Sequence, residues 1–328
     1  PSTDALVNDK STDLTDFYTH LSNASFKREL LQYADAWENL GELTAFLWRN
    51  CGIEFSNYIQ GTEVNSRLNT DLEKHLALFL KCQSILTEPK FIVDLILFKE
   101  ILLASIADKA ARIKKISIKE TRNFSERELH AHFETGVRSG AYLFFRKLLN
   151  QHYNNSRILS KEKSIANWYF VREFCYASMF RYNAKGEFNI PYGGLTYNKK
   201  NLRDKVNRIF SSQISDLFKR TTISNKDFES FLGEIKLTER DFIFVDPPYD
   251  SEFSEYDQNA FTSKDQERLA LLLKTTKARW MVVIKETELI RQLYSDPKIK
   301  IETFAKKYAY NVRGRNDRAV SHLIITNY

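Results

Sequence analysis

The sequence predicts an α/β protein whose layered sheet is contributed by both ends of the chain and interrupted by a mainly helical insertion. Three observations carry that prediction. Beyond residue 241 apolar strand-like runs alternate with helix-like ones, as layered α/β sheets require. Between about residues 50 and 180 the apolar spacing is helical, with few Gly or Pro. At the start a short run, Ala5-Leu6-Val7, closes on Asn8-Asp9 as a strand does where it stops. The expected division is 1–45 with 201–328 for the sheet domain and 46–200 for the helical insertion.

Taken in order, residues 11–49 place Leu14, Phe17, Tyr18 and Leu21, then Leu30, Tyr33, Trp37, Leu40, Leu43 and Leu47, at helical intervals. Ser11 or Thr12 is the expected first cap. Helical spacing continues through 76–80, 91–106 and 141–149, and Pro89, Gly136 and Gly140 read as breakers. Lys109, Arg112, Lys114, Lys115, Lys119 and Arg122 cluster here, with Phe124 and Phe133 interleaved. The plain reading of any one such cluster is a solvated helix face.

After residue 165 aromatic residues crowd together, and Asn-Ala-Lys-Gly and Pro-Tyr-Gly-Gly then supply turn chemistry. A helix followed by a hairpin-like loop is expected. Helix and strand signals alternate from 203 to 232. They become regular from Asp241: a buried strand at 242–245, a helix near 267–273, a strand at 280–284, a helix near 289–294 and two closing strands. The last two are expected to be antiparallel, because the link at 312–317 is too short for a crossover helix.

At 328 residues and 38.5 kDa the chain is long enough for a substantial core. Its 43% hydrophobic and 28% charged residues, with Gly at 10 and Pro at 6, exclude disordered, collagen-like and low-complexity classes. Cys51, Cys82 and Cys175 are odd in number and widely spaced, so neither a disulfide framework nor a CxxC metal site is expected, and a reducing, cytoplasmic setting fits. His130 and His132 cannot share a helical face, so no zinc site is expected. No apolar run is long enough for a membrane span and no export signal is visible. A net charge of +7 is compatible with a polyanionic partner.

The strongest chemical signal is Asp246-Pro247-Pro248-Tyr249, directly after the strand at 242–245. Strand ends in α/β sheets are where ligands bind. Two adjacent prolines stiffen the backbone where an acid and an aromatic ring are presented. An exocyclic amine on a purine is a poor nucleophile that needs orientation more than deprotonation. Asp246 can accept one of its N–H groups and the Pro247 carbonyl the other. Tyr249 can stack on an extruded base, and the carboxylate favours the positive charge that develops on nitrogen. The bland alternative is a proline-stiffened turn.

These residues resemble the catalytic motif of Dam-type DNA N6-adenine methyltransferases, and other stretches resemble that family in its order. Residues 5–21 resemble its second motif and following helix. Phe188-Asn189-Ile190-Pro191-Tyr192-Gly193 resembles the segment ending its DNA-contacting hairpin. Asp227-Phe228 resembles the acid and aromatic that hold the donor's adenine, and 311–328 resembles the last strand pair. The match is weakest from about 45 to 165.

The resemblance implies a Rossmann-like methyltransferase sheet with an inserted helical DNA-recognition domain. It also implies S-adenosylmethionine as methyl donor and N6 of adenine in duplex DNA, reached by base flipping, as acceptor. Asp246, Pro247, Pro248 and Tyr249 are then the catalytic residues; Asp9, Asp227, Phe228 and Asp246 hold the donor. Tyr182, Lys185, Asn189, Pro191, Tyr192, Lys199 and Lys200 are the expected DNA contacts, with Arg203, Lys205 and Arg208 nearby. For Tyr182 and Tyr192 a wedge beside the extruded base and packing within the hairpin are both open. Double-stranded DNA is the implied partner, a cognate restriction endonuclease is left open, and a bacterial or phage cytoplasmic setting is implied.

One departure stands out: none of the ten glycines forms the glycine-rich turn that lets a backbone approach the donor methionine. The simplest expectation is an N-terminal segment absent from this sequence or supplied by another chain. With the donor-side motif first and the catalytic motif last, the order resembles the α group. A DNA-binding module without its own donor site is the alternative, and cytosine N4, RNA bases or protein glutamine are the alternative acceptors.

Overall fold

A computed structural model describes residues 5–62, 64–179, 181–249, 261–307 and 319–328. Among them the chain is mixed α/β, mostly helical with a small sheet. It divides into two compact units: Asp16–Phe180 and Glu187–Thr222 with the chain's start, and Leu6–Thr15, Arg181–Gly186 and Ile223–Tyr328.

The first unit is helical. A short helix α1 (Thr12–Thr19) leads to α2 (Ala24–Gln60), α3 (Asn65–Phe79), α4 (Leu95–Glu120), α5 (Glu126–Tyr153), α6 (Lys161–Phe174), α7 (Leu202–Ile209) and α8 (Ser212–Lys219). Helix α2 starts where the Asn23 side chain accepts from the Ser25 and Phe26 amides, and it stops at Gly61, whose φ of 85° is left-handed. Its 37 residues make a rod of about 55 Å. Phe26, Leu30, Tyr33, Trp37, Leu40, Leu43, Leu47, Cys51 and Phe55 form one buried stripe at three- and four-residue steps. Polar groups inside are paired: Tyr33 Oη donates to Asn167 Oδ1 at 3.1 Å, and Asn167 Nδ2 donates to the Phe145 carbonyl at 3.0 Å.

Gly136 and Gly140 correct an expectation, for they lie inside α5 and break nothing. A Cβ on Gly140 would stand 2.9 Å from Leu102 Cα, and one on Gly136 3.1 Å from Ile106 Cα. Their bare faces let α4 and α5 approach closely, and Ser105 Oγ donates to the Gly136 carbonyl at 2.9 Å across that contact. Each glycine costs the helix about 1 kcal/mol of propensity, which the close packing offsets.

Strands β1 (Ala5–Asn8) and β2 (Thr221–Ser224) form a two-stranded sheet. The larger sheet, β3 (Phe242–Val245), β4 (Arg279–Lys285), β5 (Lys300–Lys307) and β6 (Ala319–Thr326), has the order β3-β4-β6-β5. β3 and β4 are parallel, with Phe242 opposite Arg279, and α10 (Ser263–Thr275) lies in the connection between them. β6 is antiparallel to both β4 and β5, so the expected closing pair is present, while its 312–317 link lies outside the described residues. The remaining helices are α9 (Phe228–Gly233) and α11 (Glu288–Leu293).

Alternation along β4 buries Trp280, Val282 and Ile284, which pack with Leu323 and Ile325 of β6 and with Leu269, Leu273, Ile290 and Tyr294 of the helices. β3 differs from its expected burial. Ile243 and Val245 face this core, but Phe242 and Phe244 are 55% and 60% exposed, because β3 ends the strand order and its other face carries no cover among the described residues. Among the described residues no helix is long and apolar enough to cross a membrane.

Candidate active site

Three acids stand just beyond the carboxyl ends of three strands. Asp9 follows β1, Asp227 lies beyond β2 and Asp246 follows β3. All three belong to the same compact unit. β1 and β2 pair in the smaller sheet and β3 ends the larger one; in α/β folds the carboxyl ends of strands are where ligands collect, because chain reversals there expose backbone and side-chain polar groups together.

Asp246 is exposed, Pro247 buried, Pro248 exposed and Tyr249 half-buried. The motif is held from two sides. Gln266 Nε2, on α10, donates to the Pro248 carbonyl at 2.8 Å, and the Gln266 side chain is almost wholly buried. The Tyr249 ring meets His322 of β6 edge-on, with centroids 5.4 Å apart and planes at 79°. His322 is itself fully buried. The Pro247 carbonyl, expected to receive an amine proton, has no hydrogen-bond partner among the described residues.

Helix α10 starts on a capping box in which Thr262 and Asp265 bond reciprocally, a helix-cap signature that Thr262-Ser263-Lys264-Asp265 carries in its sequence. These bonds, led by the Thr262 amide, hold the Asp265 carboxyl below its ordinary range. In sequence, Ser251-Glu252-Phe253-Ser254-Glu255 reads as a loop just past Tyr249 that could close over the base, and it lies outside the described residues.

The loops after β1 and β2 are laced together. Asn8 and Lys226 exchange bonds, Asn8 Nδ2 to the Lys226 carbonyl and the Lys226 amide to Asn8 Oδ1, both at 3.0 Å. Asn225 Nδ2 donates to the Asp9 carbonyl at 2.8 Å. One oxygen of the Asp9 carboxylate takes the Ser11 amide at 2.7 Å, and Ser11 Oγ in turn accepts the Leu14 amide. Asp9 thus shapes the turn into α1 while its second oxygen has no partner among the described residues.

Asp227 is the N-cap of α9, accepting the Glu229 amide at 3.0 Å. Arg268 of α10 joins the acids around it: its guanidinium reaches Asp227 at 2.9 Å, Glu229 at 2.5 Å and Asp265 at 2.7 Å. It also lies 4.9 Å above the Phe228 ring, which packs on Phe261 at its side. Gln266, Arg268, His322, Asn8 and Asn225 escape sequence reasoning; only the one-turn neighbourhood of Gln266 and Arg268 on α10, downstream of the motif, hints at two of them.

The expected DNA contacts separate. Tyr182 and Lys185 belong to the unit that holds Asp246, where the Asn183 side chain and carbonyl close a turn ending at Gly186, φ 75°. Asn189, Pro191, Tyr192, Lys199 and Lys200 belong to the helical unit. There the 188–192 backbone is clamped by one stripe of α5: Tyr142 Oη and Arg146 donate to the Ile190 carbonyl at 2.7 and 3.0 Å, and Asn150 exchanges two bonds with Phe188 at 2.8 and 3.1 Å.

Pro191 is exposed but its carbonyl takes the Tyr176 amide. Tyr192 is 8% exposed, donates to Asn198 Oδ1 at 2.9 Å and packs near Trp37 and Tyr142. This is the packing alternative for Tyr192. Lys200 is tied to Glu173 at 2.9 Å and covers the Tyr197 ring, whereas Lys199 is exposed.

Residues 94–310 match the family model described as D12 class N6 adenine-specific DNA methyltransferase. The chain is 36% identical over 166 residues, half of it and 60% of the relative, to a type II methyltransferase of Paramecium bursaria Chlorella virus NC1A. It is 32% identical over 165 residues to a retron DNA adenine methylase of Escherichia coli, covering 49% of this chain and 54% of that one. With a DNA adenine methylase of Vibrio cholerae the identity is 29% over 188 residues, 55% of this chain and 63% of the relative. The chain therefore spans just over half the length of these relatives. With two-thirds of its residues inside the matched span, the chain belongs to the D12 class of N6 adenine-specific DNA methyltransferases.

Proposed function

We propose that the chain methylates N6 of adenine within duplex DNA, as a Dam-type enzyme of the α group, with S-adenosylmethionine as donor. The observation that carries this reading is the placement of Asp9, Asp227 and Asp246 beyond three successive strand ends of one unit, the last opening a proline-stiffened motif. The parallel β3-α10-β4 connection supports a Rossmann-like sheet contributed by 1–45 and 201–328, with 46–200 as the target-recognition insertion.

The donor-binding reading rests on the free oxygen of Asp9, a hydrogen-bond acceptor of the kind that holds ribose hydroxyls. Asp227 and Phe228 suit an adenine ring, with Arg268 over the Phe228 ring. No glycine-rich turn in this sequence suits the methionine end, so no residue is assigned to it. The bound donor supplies a methyl carried on a sulfonium. Asp246 accepts one N–H of the adenine amine and the Pro247 carbonyl the other, which orients the nitrogen lone pair out of the ring plane. The Asp246 carboxylate would offset the positive charge that forms on nitrogen as the nitrogen–methyl bond forms and the sulfonium's sulfur–methyl bond breaks to leave a neutral thioether, and the proton would then pass from that nitrogen to water. Tyr249, braced by His322, stacks on the flipped base.

The experiment is incubation with methyl-labelled donor and unmethylated mixed-sequence duplex, then digestion to nucleosides. Label in N6-methyladenine, lost in Asp246→Ala with DNA affinity kept within a few fold, is the expected result. Label in another nucleoside, or full turnover by Asp246→Ala, overturns the reading. The methylase names of the relatives do not favour a binding module without activity.

A further inference from the structure

The basic residues of the helical unit fall into two sets. Near the segment resembling the hairpin's end, Lys200 and Lys205 share the Glu173 carboxylate, and Arg203 pairs with Asp35 and Glu38. Lys109, Arg112 and Lys147 hold no ion pair among the described residues. A cation already sharing a carboxylate has less to gain from a phosphate than one that faces only water.

The unpaired three line one groove of about 770 Å³ between α4 and α5, together with Arg146 and the hydroxyls of Ser105 and Ser139. Four cations line it against two carboxylates, Asp108 and Glu187. Lys109 is half-buried and sits beside Gly136, with Arg112 one turn further along α4. Burial first, and then Arg112, push the Lys109 ammonium below its ordinary range. His132, next along α5, is pushed down by burial and by Lys109 as well.

The groove has the length to follow a strand. From Gly136, beside Lys109, to Lys147 is eleven residues of α5, about 16 Å at the helical rise. That equals the axial rise of about five nucleotides of a duplex strand. The glycine contact that draws α4 and α5 together at Gly136 and Gly140 shapes this surface.

We propose that the α4/α5 groove seats the sugar-phosphate backbone of duplex DNA, with Lys109, Arg112 and Lys147 on its phosphates. The identity of the polyanion rests on the methyltransferase reading above. Contacts of this kind set register and orientation and carry no sequence information. The groove therefore contributes affinity and salt dependence, while base readout is left to other surfaces.

The test is DNA binding by the full chain and by Lys109→Gln/Arg112→Gln/Lys147→Gln, on duplexes of several sequences over a salt series. Each phosphate contact adds about 0.9 to the slope of log affinity against log salt, so the triple variant is expected to lose about 2.7 from that slope. Affinity at low salt is expected to fall at least tenfold and equally for all sequences. Lys161→Gln, which removes one charge already paired with Asp16, is expected to leave the slope within about half a unit, against about 0.9 for each groove cation.

Unchanged slope and affinity in the triple variant, with N6-methyladenine still formed by the parent, overturns the groove and leaves the methyltransferase reading intact. Loss of slope with no N6-methyladenine from the parent keeps the groove and overturns the methyltransferase reading. Should the triple variant unfold, Lys147→Glu on an exposed position reads the same surface alone. A slope reduced by at least one supports the groove there, and an unchanged slope rejects it.

Discussion

Gln266 donates to the carbonyl of Pro248 at 2.8 Å from a side chain that is 1% exposed, so the Asp246–Tyr249 stretch is tethered to the helix that follows it. Its Oε1 is buried with no hydrogen-bond partner among the described residues. An amide spends burial on one bond here, which makes that bond the reason for a polar residue at this position.

Gln266→Met keeps the volume and removes the donor. The expected outcome is a fall in kcat of tenfold or more, with KM for DNA within a few fold and a stability loss of about 1–2 kcal/mol. Steady-state kinetics beside chemical denaturation checks it. Loss of stability with kcat intact would show that the bond serves the fold alone.

Asn150 holds the Phe188 amide and carbonyl at once. Asn150→Ala is expected to cost about 1–3 kcal/mol by removing both bonds, and to speed hydrogen exchange at the Phe188 amide. Tyr142→Phe, which removes one bond to Ile190, is expected to cost less. Amide exchange read by NMR in the three proteins tests the order.

Gly140 and Gly41 are expected to respond with opposite sign to alanine. At Gly140 the new Cβ meets Leu102 Cα at 2.9 Å, and overpacking of about 1–3 kcal/mol outweighs the helix propensity gained. At Gly41 the nearest atom is the end of Arg138 at 3.6 Å, ordinary contact, and Gly41→Ala is expected to stabilise by about 0.5–1 kcal/mol. Thermal unfolding of the two variants decides it, and equal shifts would refute the α4/α5 close-contact argument.

His132 is pushed below its ordinary 6.5 by burial first and then by Lys109, with Arg112 and Arg122 adding and Glu128 opposing. The folded state therefore takes up this proton at lower pH than the unfolded chain. Its contribution to stability is fully present above about pH 6.5 and is lost as pH falls through the lowered value. His132→Gln is expected to flatten that part of the stability profile, as urea unfolding between pH 7.5 and 5 will show. An unchanged profile rejects the assignment.

Much of the fold was legible because its signals are local. The strand stopping at Asp9, the cap at Thr262 and Asp265, and the alternation after residue 241 each rest on neighbours a few residues apart. The errors came where a local rule met a distant contact. Gly136 and Gly140 punctuate sequence in general, yet here they make room for Leu102 and Ile106. The apolar strand at 242–245 reads as buried, yet its burial is decided by what covers its other face, and Phe242 and Phe244 face outward.

By itself the sequence determined the alternating elements, the acid-proline-proline-tyrosine motif after a strand, and a family resemblance carried in order along the chain. Those are properties of residue type and short spacing. Only the tertiary structure decided which polar groups are already satisfied. Gln266 meets Pro248 across 18 residues, Arg268 meets Asp227 across 41 and Asn150 meets Phe188 across 38. It likewise decided that Lys200, Arg203 and Lys205 have carboxylate partners while, among the described residues, Lys109, Arg112 and Lys147 have none. The reason is physical: a side chain's charge is written in the sequence, but whether it is spent depends on partners that folding alone brings within reach.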